Sequence, residues 1–427
     1  MGKIITKSSV IGERKKGTVD IEFLQDFCFF LYLIATTAHQ TGEGFDALFI
    51  RFTFVLFLGV SVVQMLVTNY FRWTGIAGWF LTFLGFGYMS CLWASSINDV
   101  MFYNNTFIQM VGCIICLTNR IKKREDIDTC LRLIVYSMLY SAVVLLIRTP
   151  FEDWGTERIG SALGLHSNDI GIRFALGVII ALYLAFSKKS YFNYLFVVAF
   201  TAISLFSGSR KGTLMCVIGI VVYPLLTYVK SKTGNDFAKL LFQIIFAAAA
   251  LFVLYRIIVS VDVFYDVVGF RLEAMVDAFL GDTKADASIE ERRFFTEKAL
   301  YLFKENPIIG YGMNNFKTFM GEINYSHKAY SHNNYLEILS TLGIVGFSIY
   351  YSMFVYMLSQ SVRFMVKEKL NFNRDALLFL ILVIVCLVSF WCVCYQSEFF
   401  MIIYVLIYMN IKLNIKDLKD EQNVKSN

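Results

Sequence analysis

The sequence predicts an all-α, polytopic membrane bundle of about twelve transmembrane helices, with one large, partly helical extracytoplasmic loop between spans nine and ten. Three observations predict it. Of 427 residues, 57% are hydrophobic and 17% charged, a balance too apolar for an ordinary soluble domain. Apolar runs of about 20 residues recur, the length a helix needs to cross a bilayer while pairing its own backbone groups. Only three prolines, Pro150, Pro224 and Pro307, interrupt the chain, so long helices can run through.

The expected spans are 21–40, 47–67, 74–94, 101–118, 127–148, 169–187, 191–207, 212–229, 238–258, 334–360, 375–394 and 397–413. A polar, basic stretch precedes the first run, which is long and lacks a small-residue cleavage site; it reads as a retained span and not as a signal peptide. The whole chain, 1–427, reads as one integral membrane domain, with residues 259–333 forming the inserted loop.

The connectors set the orientation. Lys3, Lys7, Arg14, Lys15 and Lys16 precede span one, and Arg72 follows span two. Arg120, Lys122, Lys123 and Arg124 follow span four, and Lys188 and Lys189 follow span six. Lys230, Lys232 and Lys239 follow span eight; Arg363, Lys367, Lys369 and Arg374 follow span ten; Lys412, Lys416, Lys419 and Lys425 close the chain. These basic connectors alternate with ones almost free of Lys and Arg at 39–45, 95–100 and 395–397. Short basic loops stay in the cytoplasm, which places both termini inside. The net charge of +6 is thereby explained by orientation, and no nucleic-acid partner is expected.

Two outward connectors break the alternation. A brief one holds Arg210 and Lys211, and positive charge there needs a reason of its own, anion binding being the leading one. The other is the long hydrophilic loop. Within it, 289–304 reads as an amphipathic helix with Phe295, Ala299, Leu302 and Phe303 on one face, stopped by Asn306-Pro307. The stretch 261–280 is also amphipathic and suited to lie along the membrane surface.

The nine cysteines sit in or beside apolar spans, and Cys113-x-x-Cys116 lacks the second ligand pair of a zinc site, so neither a metal nor a cofactor is expected. All four histidines, His39, His166, His327 and His332, fall on the outer side. His332 stands apart because Ser331-His332-Asn333-Asn334 opens span ten, where the positive end of the helix keeps an imidazole neutral and basic. Arg210 lies in Ser207-Gly208-Ser209-Arg210-Lys211-Gly212, a small-residue turn onto a helix start, where free N–H groups and a guanidinium fork suit phosphate oxygens. From periodicity alone Arg292 and Arg293 read as a solvated face. Arg158 and Asn168, after span five, are further polar candidates. Asp26 and Arg51 are candidates for an ion pair in the outer half of the bundle, and Glu22 lies near the inner edge.

Three local patterns resemble the bacterial O-antigen and capsule polymerases and O-antigen ligases. They are the Ser207–Gly212 turn; Arg292 followed by Asn306-Pro307-Ile308-Ile309-Gly310-Tyr311-Gly312 and Phe316; and His332-Asn333-Asn334-Tyr335-Leu336-Glu337-Ile338-Leu339 followed by Leu342-Gly343-Ile344-Val345-Gly346. The pattern departs at Thr341, where members often carry a glutamate; Glu337, one turn earlier, is the candidate for a related role. The resemblance implies a metal-independent glycosyltransferase that uses an undecaprenyl-diphosphate-linked oligosaccharide donor at the outer membrane face. Arg210 and Arg292 would bind the diphosphate and His332 would activate the acceptor hydroxyl, with Lys211, Arg293, Asn333, Tyr335, Glu337, Arg158 and Asn168 as further substrate-binding candidates. It also implies membrane lipid, a chain-length regulator and a flippase as partners.

Polymerase is the favoured reading and ligase its alternative within the class. A transporter or lipid-linked sugar flippase is the reading from another class. A flippase is expected to line a central cavity with charge and to lack a large outer loop bearing clustered Arg and His, so the 259–333 loop argues against it.

Overall fold

The computed structural model describes residues 20–39, 44–150, 159–160, 166–187, 189–231, 287–322, 329–367 and 372–426, with 241 and 245. Every expected span except the ninth coincides with a helix. These are α1 (Ile21–Ala38), α2 (Gly44–Thr68), α3 (Gly75–Met89), α4 (Ile97–Arg120), α5 (Arg124–Arg148), α6 (Ser167–Ser187), α7 (Asn193–Phe206) and α8 (Arg210–Ser231), then α11 (Asn334–Lys367), α12 (Phe372–Val388) and α13 (Glu398–Ser426). Among the described residues, nine helices are long and apolar enough to cross a membrane; α7, with 14 residues, and α12, with 17, are shorter. The ninth expected span, 238–258, of which only 241 and 245 are described, lies otherwise outside the described residues. So do the 261–280 stretch, Arg158, His327, Lys188, Lys232, Lys239, Lys369 and the basic residues before span one.

Inside the loop, α9 (Ala287–Glu305) falls where the amphipathic pattern predicts it. A second short helix, α10 (Asn315–Glu322), was not expected from periodicity, being only two turns long. The last helix continues past the expected limit at 413, because its polar tail still carries helix formers, Lys416, Leu418, Lys419, Glu421 and Gln422, once the apolar stretch ends.

Helices α6 and α13 form the centre, each 83% buried along its apolar stretch. Small residues let α8 close on α6. A Cβ at Gly212 would stand 2.6 Å from the Gly171 carbonyl, and one at Gly171 would stand 2.4 Å from the Ser209 Cβ. Around α13 the core is aromatic, with Phe83 and Tyr395 in contact with each other and each with Phe107 and Tyr350.

The α11 helix is broken at Gly343 (φ 62°, ψ −167°), a backbone conformation that is essentially restricted to glycine. A break in a spanning helix frees backbone groups that lipid cannot satisfy. Here the segment after α9 satisfies them. Ile344 and Val345 donate their N–H groups to the carbonyls of Pro307 (2.8 Å) and Ile308 (3.2 Å). In return Tyr311 and Gly312 donate to the carbonyls of Ser340 (3.2 Å) and Thr341 (2.7 Å). Gly310 (φ 66°) sits so close that a Cβ would meet the Thr341 carbonyl carbon at 2.4 Å. Two of the three sequence patterns are thus the two halves of one backbone latch.

Asp26 does not meet Arg51. It lies in the first half of α1, at the end of the bundle opposite His332, where Arg120 at the end of α4 donates to it from Nε (2.9 Å) and Nη2 (2.8 Å). Arg120 also pairs with Asp126 (3.0 Å). Arg51 is exposed on α2. The same opposite end holds a buried Arg374–Asp128 pair (3.2 Å), in which Asp128 also accepts from Tyr183 (2.6 Å).

Candidate active site

The site is built on the turn that starts α11. Asn333 caps the helix, its Oδ1 accepting the N–H groups of Tyr335 (3.0 Å) and Leu336 (3.1 Å). The fully buried Glu337 accepts the Ser331 N–H at 2.7 Å from beneath. Between these two fixed residues His332 takes φ 56°, a left-handed conformation that the caps impose.

That conformation lays the His332 ring between two others. Tyr330 is 4.2 Å away, centroid to centroid, and Phe295 of α9 is 5.6 Å away with planes inclined by 25°. Phe295 belongs to the predicted apolar face of α9, and with Ala299 and Leu302 it packs on Phe316 and Met320 of α10. Arg292 precedes Phe295 by one turn and is half-buried. Burial pushes the His332 pKa down to about 4, and the positive charges of Lys211 and Arg292 add to the shift. The imidazole is therefore neutral and free to accept a proton at physiological pH.

The arginine turn meets this site through the connector between α12 and α13. Gly208 (φ 63°) turns the chain, Ser209 Oγ caps α8 by accepting the Gly212 N–H (3.2 Å), and Arg210 is exposed at the first position of the helix. The Lys211 ammonium donates to the carbonyl of Trp391. A few residues on in that connector, Cys394 and Tyr395 donate their N–H groups to Asn334 Oδ1 (2.8 and 3.0 Å). The starts of α8 and α11 are thus tied to one strip of chain.

The remaining candidates divide. Arg293 lies on the other side of α9, paired with Glu297 (3.1 Å) on an exposed face, so the solvated reading describes it and not Arg292. Tyr335 is a packing residue, its hydroxyl donating to the Cys386 carbonyl (2.8 Å) and its ring stacked on Tyr351 (4.9 Å). Asn333 and Glu337 hold the turn. Asn168 is half-buried in the first turn of α6. His39, paired with Asp46 at 2.9 Å, has the ordinary hydrogen-bonded role.

Beside Tyr330 opens a cavity of about 390 Å³ whose lining includes His166, Asp169 and Arg173 of the α6 region and Gln396, Ser397 and Glu398 at the start of α13. Arg173 donates to the Thr36 carbonyl (2.6 Å) and lies 5.5 Å from the centre of the Phe399 ring. Glu398 accepts from the Tyr32 hydroxyl (2.9 Å). The Ser397 hydroxyl is buried and has no hydrogen-bond partner among the described residues. Sequence reasoning passed over Arg173 and Glu398. The signal was present, since each is a charge within an apolar run, where desolvation makes a charge costly unless it has a task.

Residues 195–351 match the model of the O-antigen ligase family. That stretch, and not the chain as a whole, is similar to the O-antigen ligase family. The family comprises O-antigen ligases and related polymerases, which are glycosyltransferase-like membrane enzymes. The matched segment runs from α7 to just beyond the Gly343 break, and so contains Arg210, Arg292, the latch and His332. Arg173 and Glu398 lie outside it. No curated protein matches the chain.

Proposed function

We propose that the chain is a polysaccharide polymerase, joining undecaprenyl-diphosphate-linked oligosaccharide repeat units into capsule or O-antigen chains at the outer face of the cytoplasmic membrane, without a metal. One observation carries the reading: the half-buried ring of His332, 4.2 Å from Tyr330 and 5.6 Å from Phe295, stands at one end of the bundle with Arg292 one helical turn from Phe295. An acceptor hydroxyl attacks the anomeric carbon of the donor sugar. The new C–O bond forms as the bond to the diphosphate oxygen breaks, the hydroxyl proton passes to a nitrogen of His332, and the diphosphate leaves with the electron pair. Arg210 and Arg292 offset the charge that develops on it. Lys211, engaged by the Trp391 carbonyl, fixes the turn that presents Arg210.

The cavity beside Tyr330 takes the saccharide, its aromatic edges and paired charges being suited to sugar faces and hydroxyls. The orientation is supported by Arg72, Lys122, Lys123, Arg124, Lys412 and Lys416, which gather at the end opposite His332, as the positive-inside rule requires of a cytoplasmic face. A chain-length regulator and a flippase are the expected partners. The family description favours ligation as a second reading, in which finished glycan passes to lipid A core or another acceptor.

Deleting the gene and analysing the carrier-linked material separates the two. Single repeat units on the carrier support polymerisation; long unattached chains sink it in favour of ligation. Complementation with Arg210→Ala, Arg292→Ala or His332→Ala is expected to restore protein but no polymer, and normal polymer from all three overturns the site.

A further inference from the structure

At the end of the bundle opposite His332 a second cavity, of about 470 Å³, lies between the start of α3 and the stretch of α13 from Tyr408 to Lys416. Its lining includes four cations, Arg72, Lys122, Lys412 and Lys416, and no carboxylate among the described residues. Two nearby acids are engaged elsewhere, Asp126 with Arg120 and Asp417 with Arg124; Glu22 pairs with one of the four cations, Lys122, at 3.6 Å from the exposed side. Two cations are also held in place by rings. The Lys122 ammonium lies 5.4 Å from the centre of Tyr70, and that of Lys412 lies 5.3 Å from Tyr408 and 5.8 Å from Tyr356.

The cavity also receives the N-terminus of α3, whose cap residue, Thr74, makes no capping bond with its side chain. Thr74 is only 6% exposed, and its Oγ1 has no hydrogen-bond partner among the described residues, although a buried hydroxyl without one is costly. Arg72 Nε, on the same wall, is likewise buried and unpartnered, while its Nη2 donates to the Ile121 carbonyl at 3.0 Å. Unsatisfied donors, a helix start and four positive charges around one space describe the complement of an anion with several oxygens.

We propose that this cavity binds the phosphodiester headgroup of an anionic membrane lipid. The site lies at the boundary of the spans. Phe71 (59% exposed) and Trp73 (55%) flank it as an interfacial aromatic rim, and Leu66 and Val67 at the end of α2 present apolar surface for acyl chains. A free phosphate would use the same donors but gain nothing from this rim.

Full-length protein in neutral detergent, melted with added phosphatidylglycerol, phosphatidylcholine or inorganic phosphate, tests the proposal. Phosphatidylglycerol is expected to raise Tm where the other two do not. Lys412→Gln/Lys416→Gln should need about tenfold more phosphatidylglycerol for the same rise. Thr74→Val, which loses no hydrogen bond in the free protein, should also shift that midpoint while melting like wild type without lipid. Mass spectrometry of the intact wild-type protein in an equimolar lipid mixture gives a readout independent of any variant, and selective retention of phosphatidylglycerol is the expected result. Equal retention of both lipids, an equal Tm rise with inorganic phosphate, or unchanged midpoints in stable variants overturns it.

Discussion

The ring of His332, at the start of α11, stacks on that of Phe295 in α9 at 5.6 Å with planes 25° apart. The loop helix and the bundle therefore meet at the imidazole itself. Because Arg292 stands one helical turn from Phe295, any shift of α9 moves the cation and uncovers the base together.

Phe295→Ala is expected to abolish polymer formation while leaving the protein in the membrane. Phe295 is 1% exposed, and emptying such a site costs about 3–5 kcal/mol, much of it borne by the docking of α9. Limited proteolysis should show faster cleavage in the loop with the bundle intact. Polymer at wild-type level would contradict the clamp.

Gly343→Ala tests the latch. At φ 62° and ψ −167° any side chain is strained by about 1–3 kcal/mol, and the added Cβ would also stand 2.2 Å from the Ile308 carbonyl oxygen. We expect a lowered melting temperature and loss of activity. Gly59→Ala, at a helical glycine with open space around its Cβ, is the control and should behave as wild type. Equal behaviour of the two variants would remove the latch from the account.

Neighbouring arginines on α9 should differ sharply. Arg292→Ala is expected to slow transfer by about a hundredfold or more, as loss of a charge-stabilising donor does. Arg293→Ala breaks only an exposed pair with Glu297 and should stay within about twofold of wild type. Rates of lipid-linked repeat joining by purified protein check this, and a reversed order would exchange their roles.

Much of this was legible in the chain. Hydropathy and alternating basic connectors located the helices because desolvating backbone and charge dominates in lipid. The period of Phe295, Ala299 and Leu302 located α9 and its buried face. Two things were not legible. Asp26 meets Arg120 and not Arg51, because pairing of charges depends on which helices are neighbours, and the linear pattern does not encode that. Tyr335 and Glu337 fall within a motif that also holds His332, yet they support the turn from inside; only the direction of each side chain separates a supporting residue from an exposed one.

The cavity beside Tyr330 makes its own prediction. Ser397→Ala removes a hydroxyl that has no partner in the free protein, so stability should be unchanged or slightly raised. If saccharide occupies the cavity, KM for the repeat unit rises about threefold to tenfold with kcat little altered. An unchanged KM in Ser397→Ala and also in Glu398→Gln would place the sugar elsewhere.

The central claim is that His332 is the base, kept neutral by burial and neighbouring cations. Its folded pKa, about 4, lies below the ordinary histidine value, so the neutral form persists as pH falls, and the stability it contributes is lost only on acidification from about 6.5 towards 4. The decisive measurement is kcat/KM against pH for reconstituted protein, since this ratio reports the free enzyme. The account predicts a flat profile through pH 6.5, an acid limb only near 4, and a loss of about a hundredfold or more in His332→Gln at every pH above that limb. An acid limb near 6.5 that survives in His332→Gln, or near-normal turnover by that variant, would contradict it.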